Sequence, residues 1–203
     1  MITVIDYGAG NIGSVLNMIQ HVGGTAEVAR DREGILSASK ILLPGVGSFD
    51  NAMTRLIGKG MVEPLKQRAR EGIPFLGICL GMQLLADGSE EGEMDGLGLI
   101  PGRVRRFSFG REEPQLKVPH MGWNRVTPLG DHPLSRGLDA DARFYFVHSY
   151  YFDCALSENA LLQSTYGRAF ASGVQRANVL GVQFHPEKSH RHGMQLIKNF
   201  VGI

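Results

Sequence analysis

Ile73-Pro74-Phe75-Leu76-Gly77-Ile78-Cys79-Leu80-Gly81-Met82-Gln83 is the stretch on which the reading of the whole chain turns. A short apolar run reaches Gly77, a cysteine follows between two glycines, and Met82, Leu84 and Leu85 then fall at helix-like spacing. The pattern predicts a buried strand, a sharp turn with Cys79 at its apex, and the start of a helix. Gly77 and Gly81 leave room for a strained turn and for close approach of a substrate. The free N–H groups of a helix start favour a thiolate over a thiol, so Cys79 stands where a nucleophile is built. The same residues also fit a small buried cysteine, inert behind a core strand. This stretch alone leaves both readings standing.

Working outward toward the amino end, residues 2–5 form an apolar run, followed by Asp6-Tyr7-Gly8-Ala9-Gly10-Asn11 and a helical pattern of Ile12, Val15, Leu16, Ile19 and Val22. The glycines do not complete a dinucleotide fingerprint, because Gly13 comes one residue early. Residues 25–29 and 41–43 are two more predicted strands. The second runs into Pro44-Gly45-Val46-Gly47-Ser48. Such a loop either aims backbone N–H groups into a site or is an ordinary turn. Met53, Leu56 and Ile57, then Val62, Leu65 and Ala69, carry two further helical patterns, the second stopped by Gly72. Strand and helix alternate, which predicts a parallel sheet covered on both faces. In such sheets sites form at the carboxyl ends of the strands, where the 6–11 turn, the 44–47 loop and Cys79 all fall.

The second half changes character. From residue 97 to 147 short β-like runs, among them 102–107, 116–118 and 144–147, are separated by Pro and Gly. They predict a small antiparallel extension within a single domain over residues 1–203, since no long polar linker intervenes. Arg103, Arg105, Arg106 and Arg111, beside Glu112 and Glu113, read as a solvated strand face or a docking surface. Residues 161–166, 170–175 and 179–184 are three further strands, and Leu196, Ile197 and Phe200 mark a C-terminal helix.

Composition narrows the classes. The 203 residues suit one sizeable core, and 21 Lys and Arg against 20 Asp and Glu leave a net charge of +1, with no general electrostatic case for nucleic acid or membrane binding. The N-terminus has no basic segment of a signal peptide, and no apolar run approaches a membrane span. The two cysteines, Cys79 and Cys154, make no disulfide framework. A cytoplasmic protein is expected. Cys154 has no activating neighbour and reads as structural.

The 179–184 strand runs into His185-Pro186-Glu187-Lys188. Pro186 holds the backbone extended or in a tight turn, and in an extended segment residues i and i+2 share a side. Glu187 can then fix the ring of His185, and with a thiol from another strand end the parts of a Cys-His-Glu triad are present. Each part also has a plainer reading: a satisfied structural histidine, and a glutamate favoured at a helix start. His185, His190 and His192 lack a known metal-ligand spacing, and no metal or cofactor is expected.

Gly77-Ile78-Cys79-Leu80-Gly81-Met82-Gln83 and Phe184-His185-Pro186-Glu187 resemble the nucleophile elbow and the His-x-Glu segment of class I, triad-type glutamine amidotransferases. Asp6-Tyr7-Gly8-Ala9-Gly10-Asn11, Pro44-Gly45-Val46-Gly47, Pro119-His120-Met121-Gly122-Trp123-Asn124, His148-Ser149-Tyr150 and His185-Pro186-Glu187-Lys188-Ser189 are similar to the glutaminase subunits of imidazole glycerol phosphate synthases, over essentially the whole chain. The resemblance implies a three-layer, flavodoxin-like α/β fold. It implies Cys79 as nucleophile, His185 as base and Glu187 as its orienter. It implies oxyanion donors at Leu80 and in the Val46–Gly47 region, where a peptide rotates to complete the hole. Contacts to substrate glutamine are implied at Gly47, Gln83, His148, Ser149 and Tyr150. The implied partner is a cyclase subunit with a (β/α)8 barrel, met as a heterodimer through Asn11, Trp123, Tyr145 and Lys188. Core packing is the plainer fate for Trp123 and Tyr145. Rival readings are the glutaminase subunit of pyridoxal 5′-phosphate synthase, a stand-alone cysteine hydrolase of another amide, a non-catalytic regulatory scaffold, and a redox-sensing cysteine.

Overall fold

The computed structural model describes residues 1–110 and 116–203. In chain order the strands are β1 (Ile2–Ile5), β2 (Ala26–Ala29), β3 (Ile41–Gly45), β4 (Phe75–Cys79), β5 (Gly88–Ser89), β6 (Gly102–Arg106), β7 (His120–Arg125), β8 (Thr127–Pro128), β9 (Arg143–His148), β10 (Tyr150–Cys154), β11 (Ala160–Tyr166), β12 (Arg168–Arg176) and β13 (Val179–Val182). The α-helices are α1 (Ile12–His21), α2 (Arg32–Leu36), α3 (Phe49–Gly58), α4 (Val62–Arg70), α5 (Leu80–Gln83) and α6 (His190–Gly202).

Strands β2-β1-β3-β4-β13 pair in parallel, and the same sheet continues antiparallel through β12, β10 and β6. The predicted antiparallel extension is therefore grown onto the main sheet, while β7 and β9 form a separate two-stranded ribbon. Alternation along the parallel strands builds the two helical layers. Ile5, Ile41, Leu43 and Phe75 join one core with residues of α2, α3 and α4, and Val4, Leu42, Leu76 and Ile78 join the other with residues of α1 and α6. Asn11 caps α1 by accepting from Ser14 N–H at 3.3 Å. Gly72, at φ +83°, closes α4 as predicted, with its own N–H on the Ala69 carbonyl and that of Ile73 on the Arg68 carbonyl.

Three expectations are corrected. The helix after Cys79 is a single turn, because the carbonyls of Leu84, Leu85 and Ala86 that would continue it accept N–H groups from residues 97–100 instead. Residues 116–118 form no strand, and the Lys117 carbonyl is taken by the Tyr166 hydroxyl at 2.8 Å. The last sheet strand stops at Val182 rather than Phe184, since its parallel partner β4 turns away at Cys79. The arginine-rich strand β6 is a salt-bridged surface. Val104 points inward, and Arg105 pairs with Glu90 at 2.9 Å and Asp153 at 2.7 Å. Arg111, Glu112 and Glu113 lie outside the described residues. Among the described residues, no helix is long and apolar enough to cross a membrane.

Candidate active site

Cys79 ends β4 at φ +55°, ψ −113°, in a region that non-glycine residues rarely occupy. Such a conformation costs roughly 1–3 kcal/mol and persists only where surrounding structure enforces it. Here the enforcement is steric. A Cβ on Gly77 would sit 2.5 Å from the Gly81 carbonyl oxygen, and one on Gly81 would sit 1.9 Å from the Leu43 oxygen. The two glycines thus let backbone press on backbone. Of the two reasons read from sequence, the strained turn is what their positions show, and room for a substrate is not.

Register places the other groups. Gly45 pairs with Cys79 across β3 and β4, so Val46 and Gly47 leave the sheet beside the thiol. Ile78 pairs with Val182 across β4 and β13, so His185 comes from the adjoining strand end. The His185 backbone is anchored to β9, its N–H donating to the Tyr145 carbonyl at 2.9 Å. Residues Pro186–Lys188 make one 3-10 turn, not an extended pair, and that turn brings His185 Nδ1 to 2.7 Å from Glu187 Oε1. His185 Nε2 is buried without a hydrogen-bond partner among the described residues. Burial alone would push the imidazole down; the nearby Cys79 sulfur and Glu187 carboxylate outweigh it and raise the pKa to about 10. The one-turn α5 is too short for a helix dipole of consequence, so the charged neighbour of the sulfur is His185, not a helix end.

A cavity of about 340 Å³ is lined by Val46, Gly47, Cys79, Leu80, Gln83, Glu91, Pro119, Val147, His148, Ser149, Tyr150 and His185, within the usual range for small-molecule sites. It gathers the expected nucleophile, base, oxyanion-loop and glutamine-contact residues in one place. A larger cavity, about 560 Å³, lies at the amino ends of β4 and β13 around Lys66, Arg70 and Arg176, away from this chemistry.

His148 lines the cavity but spends both ring nitrogens inside the protein. The Tyr150 carbonyl can only accept, so His148 Nδ1–H donates to it at 2.7 Å. His148 Nε2 then accepts from His120 Nδ1–H at 2.8 Å, and His120 Nε2 accepts from Asn124 at 3.2 Å. Both rings are neutral and satisfied. Burial lowers His120 to about 4. Burial likewise lowers His148 to about 3, with the hydrogen bond to Tyr150 opposing and the His120 and His185 charges adding to the shift. The burial of His120 under Phe146 and Tyr166 has no signal in the local sequence.

The family model for class-I glutamine amidotransferases matches residues 3–203. The chain belongs to that family. Among its curated relatives, imidazole glycerol phosphate synthase subunit HisH of Bdellovibrio bacteriovorus is 48% identical over 207 residues, covering 100% of both chains. Subunit HisH 2 of Pseudomonas aeruginosa is 50% identical over 204 residues, again covering 100% of both. Among solved structures, a glutamine amidotransferase superposes with a TM-score of 0.77 at 19% identity, covering 100% of this chain and 99% of that one. A chain of PurLQS from Thermotoga maritima gives a TM-score of 0.74 at 17% identity, covering 99% and 97%. These two share the fold.

In this class-I amidotransferase the expected partner-facing residues fall into one patch and one outlier. Trp123 pairs with Tyr145 across β7 and β9, and Tyr145 bridges to His185. Lys188 Nζ lies 5.6 Å above the Tyr145 ring. His190, absent from the sequence reading in this role, stacks on Trp123 at 5.3 Å and 3°. Trp123 is 46% exposed and Met121 is 61% exposed, so core packing is not the fate of Trp123. Asn11 stands apart as the exposed cap of α1, whose helix packs on the Pro186–Lys188 turn. His185, His190 and His192 go to separate partners: Glu187, Trp123 and the Arg143 backbone. Cys154 is half-buried; burial and the neighbouring Asp153 raise it to about 11.

Proposed function

We propose that this chain is the glutaminase subunit of an imidazole glycerol phosphate synthase. It hydrolyses glutamine to glutamate and ammonia, and hands the ammonia to a cyclase subunit that makes imidazole glycerol phosphate and AICAR in histidine biosynthesis. The observation that carries the reading is the strained Cys79 and His185, on adjoining strand ends in one cavity, with Glu187 held against the His185 ring. The names of relatives matched over the full length of both chains support the particular synthase.

In the proposed reaction the Cys79 sulfur attacks the side-chain carboxamide carbon of glutamine. His185, which holds the proton taken from the thiol, gives it to the departing ammonia. A γ-glutamyl thioester remains. His185 then takes a proton from a water that attacks the thioester, and glutamate leaves with its new carboxylate oxygen from that water while the thiol is restored. Glu187 keeps the imidazole turned toward the sulfur. The oxyanion accepts from Leu80 N–H and from the backbone of the Val46–Gly47 loop, each donor worth roughly 3–4 kcal/mol of barrier. Gln83, His148, Ser149 and Tyr150 form the wall against which glutamine lies.

The partner is read as a (β/α)8-barrel cyclase forming a heterodimer through the Trp123, Tyr145 and Lys188 patch and Asn11, with residues 1–203 acting as one unit. Val46 is 48% exposed and Gly47 holds φ +105° with open space around it, a loop free to rotate a peptide when the partner binds. The test is alkylation of Cys79 by a reactive glutamine analogue. Glutamine is expected to slow it competitively; labelling indifferent to glutamine overturns the assignment. Gly47→Pro should abolish partner-stimulated turnover, and full stimulation in that variant rejects the rotating loop.

A further inference from the structure

Gln183 lies just beyond β13, between Val182 and Phe184, and is fully buried. A glutamine with no exposed atom must have both ends of its amide engaged to be tolerated there. Which end points where follows from one fixed acceptor. The Tyr150 carbonyl cannot donate, so the Gln83 group 3.2 Å from it is the NH2. The other N–H of that nitrogen donates to Gln183 Oε1 at 3.0 Å. Gln183 therefore turns its own NH2 away from Gln83, and that nitrogen reaches Cys79 Sγ at 3.9 Å. The amide orientations are forced in sequence from the backbone to the thiol.

Two consequences meet at the cavity. Gln83 has both N–H groups committed, so its Oε1 is the polar atom it has left for the cavity that it lines, and there it can only accept. Cys79 receives an N–H that is a weak partner for a neutral thiol and a charge-assisted one for a thiolate. The sulfur thus has His185 as a charged neighbour and Gln183 as an N–H donor.

We propose that Gln183 is a positioning residue for the nucleophile, its amide NH2 holding Cys79 Sγ in its reactive rotamer and favouring the thiolate, while its Oε1 locks the Gln83 amide with Oε1 toward substrate. The second half rests on the glutaminase reading; the first does not. The other ionisable groups around the sulfur are Tyr7 after β1, His185 and Glu187 after β13, His148 at the end of β9 and Glu91 on the cavity wall. Gln183→Met leaves the charges of this set unchanged, whereas Gln183→Glu adds one carboxyl to it.

The test is the pH dependence of Cys79 carbamidomethylation by iodoacetamide, read on the Cys79 peptide of the full chain so that Cys154 does not contribute. Gln183→Met removes the donor and the acceptor. Gln183→Glu keeps an acceptor for Gln83 and, once its buried carboxyl ionises, removes the donor and sets a negative charge by the sulfur. Both should move the alkylation midpoint to higher pH and slow the reaction at neutral pH about tenfold, Gln183→Glu the more strongly. In glutamine turnover, Gln183→Glu should lower kcat with KM little changed, while Gln183→Met should also raise KM. An unchanged alkylation midpoint in folded Gln183→Met overturns the proposal. Should that variant not fold, the wild-type Gln183 side-chain amide protons must shift in NMR at the same midpoint as Cys79 alkylation, and resonances that stay fixed overturn it. Alkylation needs no glutamine, so a shifted midpoint in a chain without glutaminase activity separates failure of the functional reading from failure of this one.

Discussion

At the scale of single residues, the site is a set of polar groups whose orientations are dictated by neighbours that cannot change role. Cys79→Ala is expected to remove glutamine turnover by about 10³-fold or more while leaving the fold intact, since the lost atom is one sulfur at the cavity wall. Glu187→Gln keeps an acceptor for His185 Nδ1 but loses the charge that holds the imidazolium, and should lower kcat by about 10²–10⁴-fold. Stopped assays of glutamate release read both. Stability should follow pH through the buried histidines. His120 and His148 sit near 4 and 3 when folded, against about 6.5 unfolded. Their contribution is therefore complete above about pH 6.5 and declines as pH falls toward those folded values. His185 runs the other way: raised to about 10, its contribution is complete below about pH 6.5 and fades as pH rises through 10. Thermal melts from pH 4 to 10 should show both flanks, and His148→Gln should flatten the acid one. Cys79, His185 and Glu187 were legible because their chemistry is tied to short local motifs. Gln183 and the His120–His148 contact were not, because their partners lie 104 and 28 residues away in sequence.

At the scale of elements, position is set by backbone contacts too close for any side chain. Gly81→Ala should destabilise by roughly 3 kcal/mol or more, because its Cβ would meet the Leu43 carbonyl oxygen at 1.9 Å and neither strand can move freely. A Cβ on Gly193, in α6, would come equally close to the Pro186 carbonyl oxygen, at 1.9 Å. Gly193→Ala should push the Pro186–Lys188 turn and lower turnover without altering any cavity residue, to be measured by kcat beside a melt. The parallel strands were legible as short apolar runs and the long helices from their periodicity. The ribbon strand β7 was not, because its alternation is inverted: His120 faces inward while Met121 and Trp123 face solvent. The short helix α5 was overestimated because the segment that captures its carbonyls comes from residues 97–100, beyond any local pattern.

At the scale of the whole molecule, the cavity and the exposed aromatic patch share a backbone. Tyr145 holds the His185 N–H on one side and pairs with Trp123 on the other. A partner seated on Trp123, Tyr145, Lys188 and His190 thus presses on the strand that positions His185. Trp123→Ala should leave the melting temperature nearly unchanged, since the ring is 46% exposed, yet weaken partner affinity by a hot-spot amount of about 2 kcal/mol or more, measured by titration calorimetry. The measurement that bears most directly on the central claim is glutamine turnover by the chain alone, with the cyclase subunit, and with the cyclase carrying a ligand in its own site. The account predicts slow turnover alone, a marked rise when partner and ligand are both present, and none in Cys79→Ala under any condition. Turnover that is fast alone and indifferent to the partner, or that survives in Cys79→Ala, would contradict it.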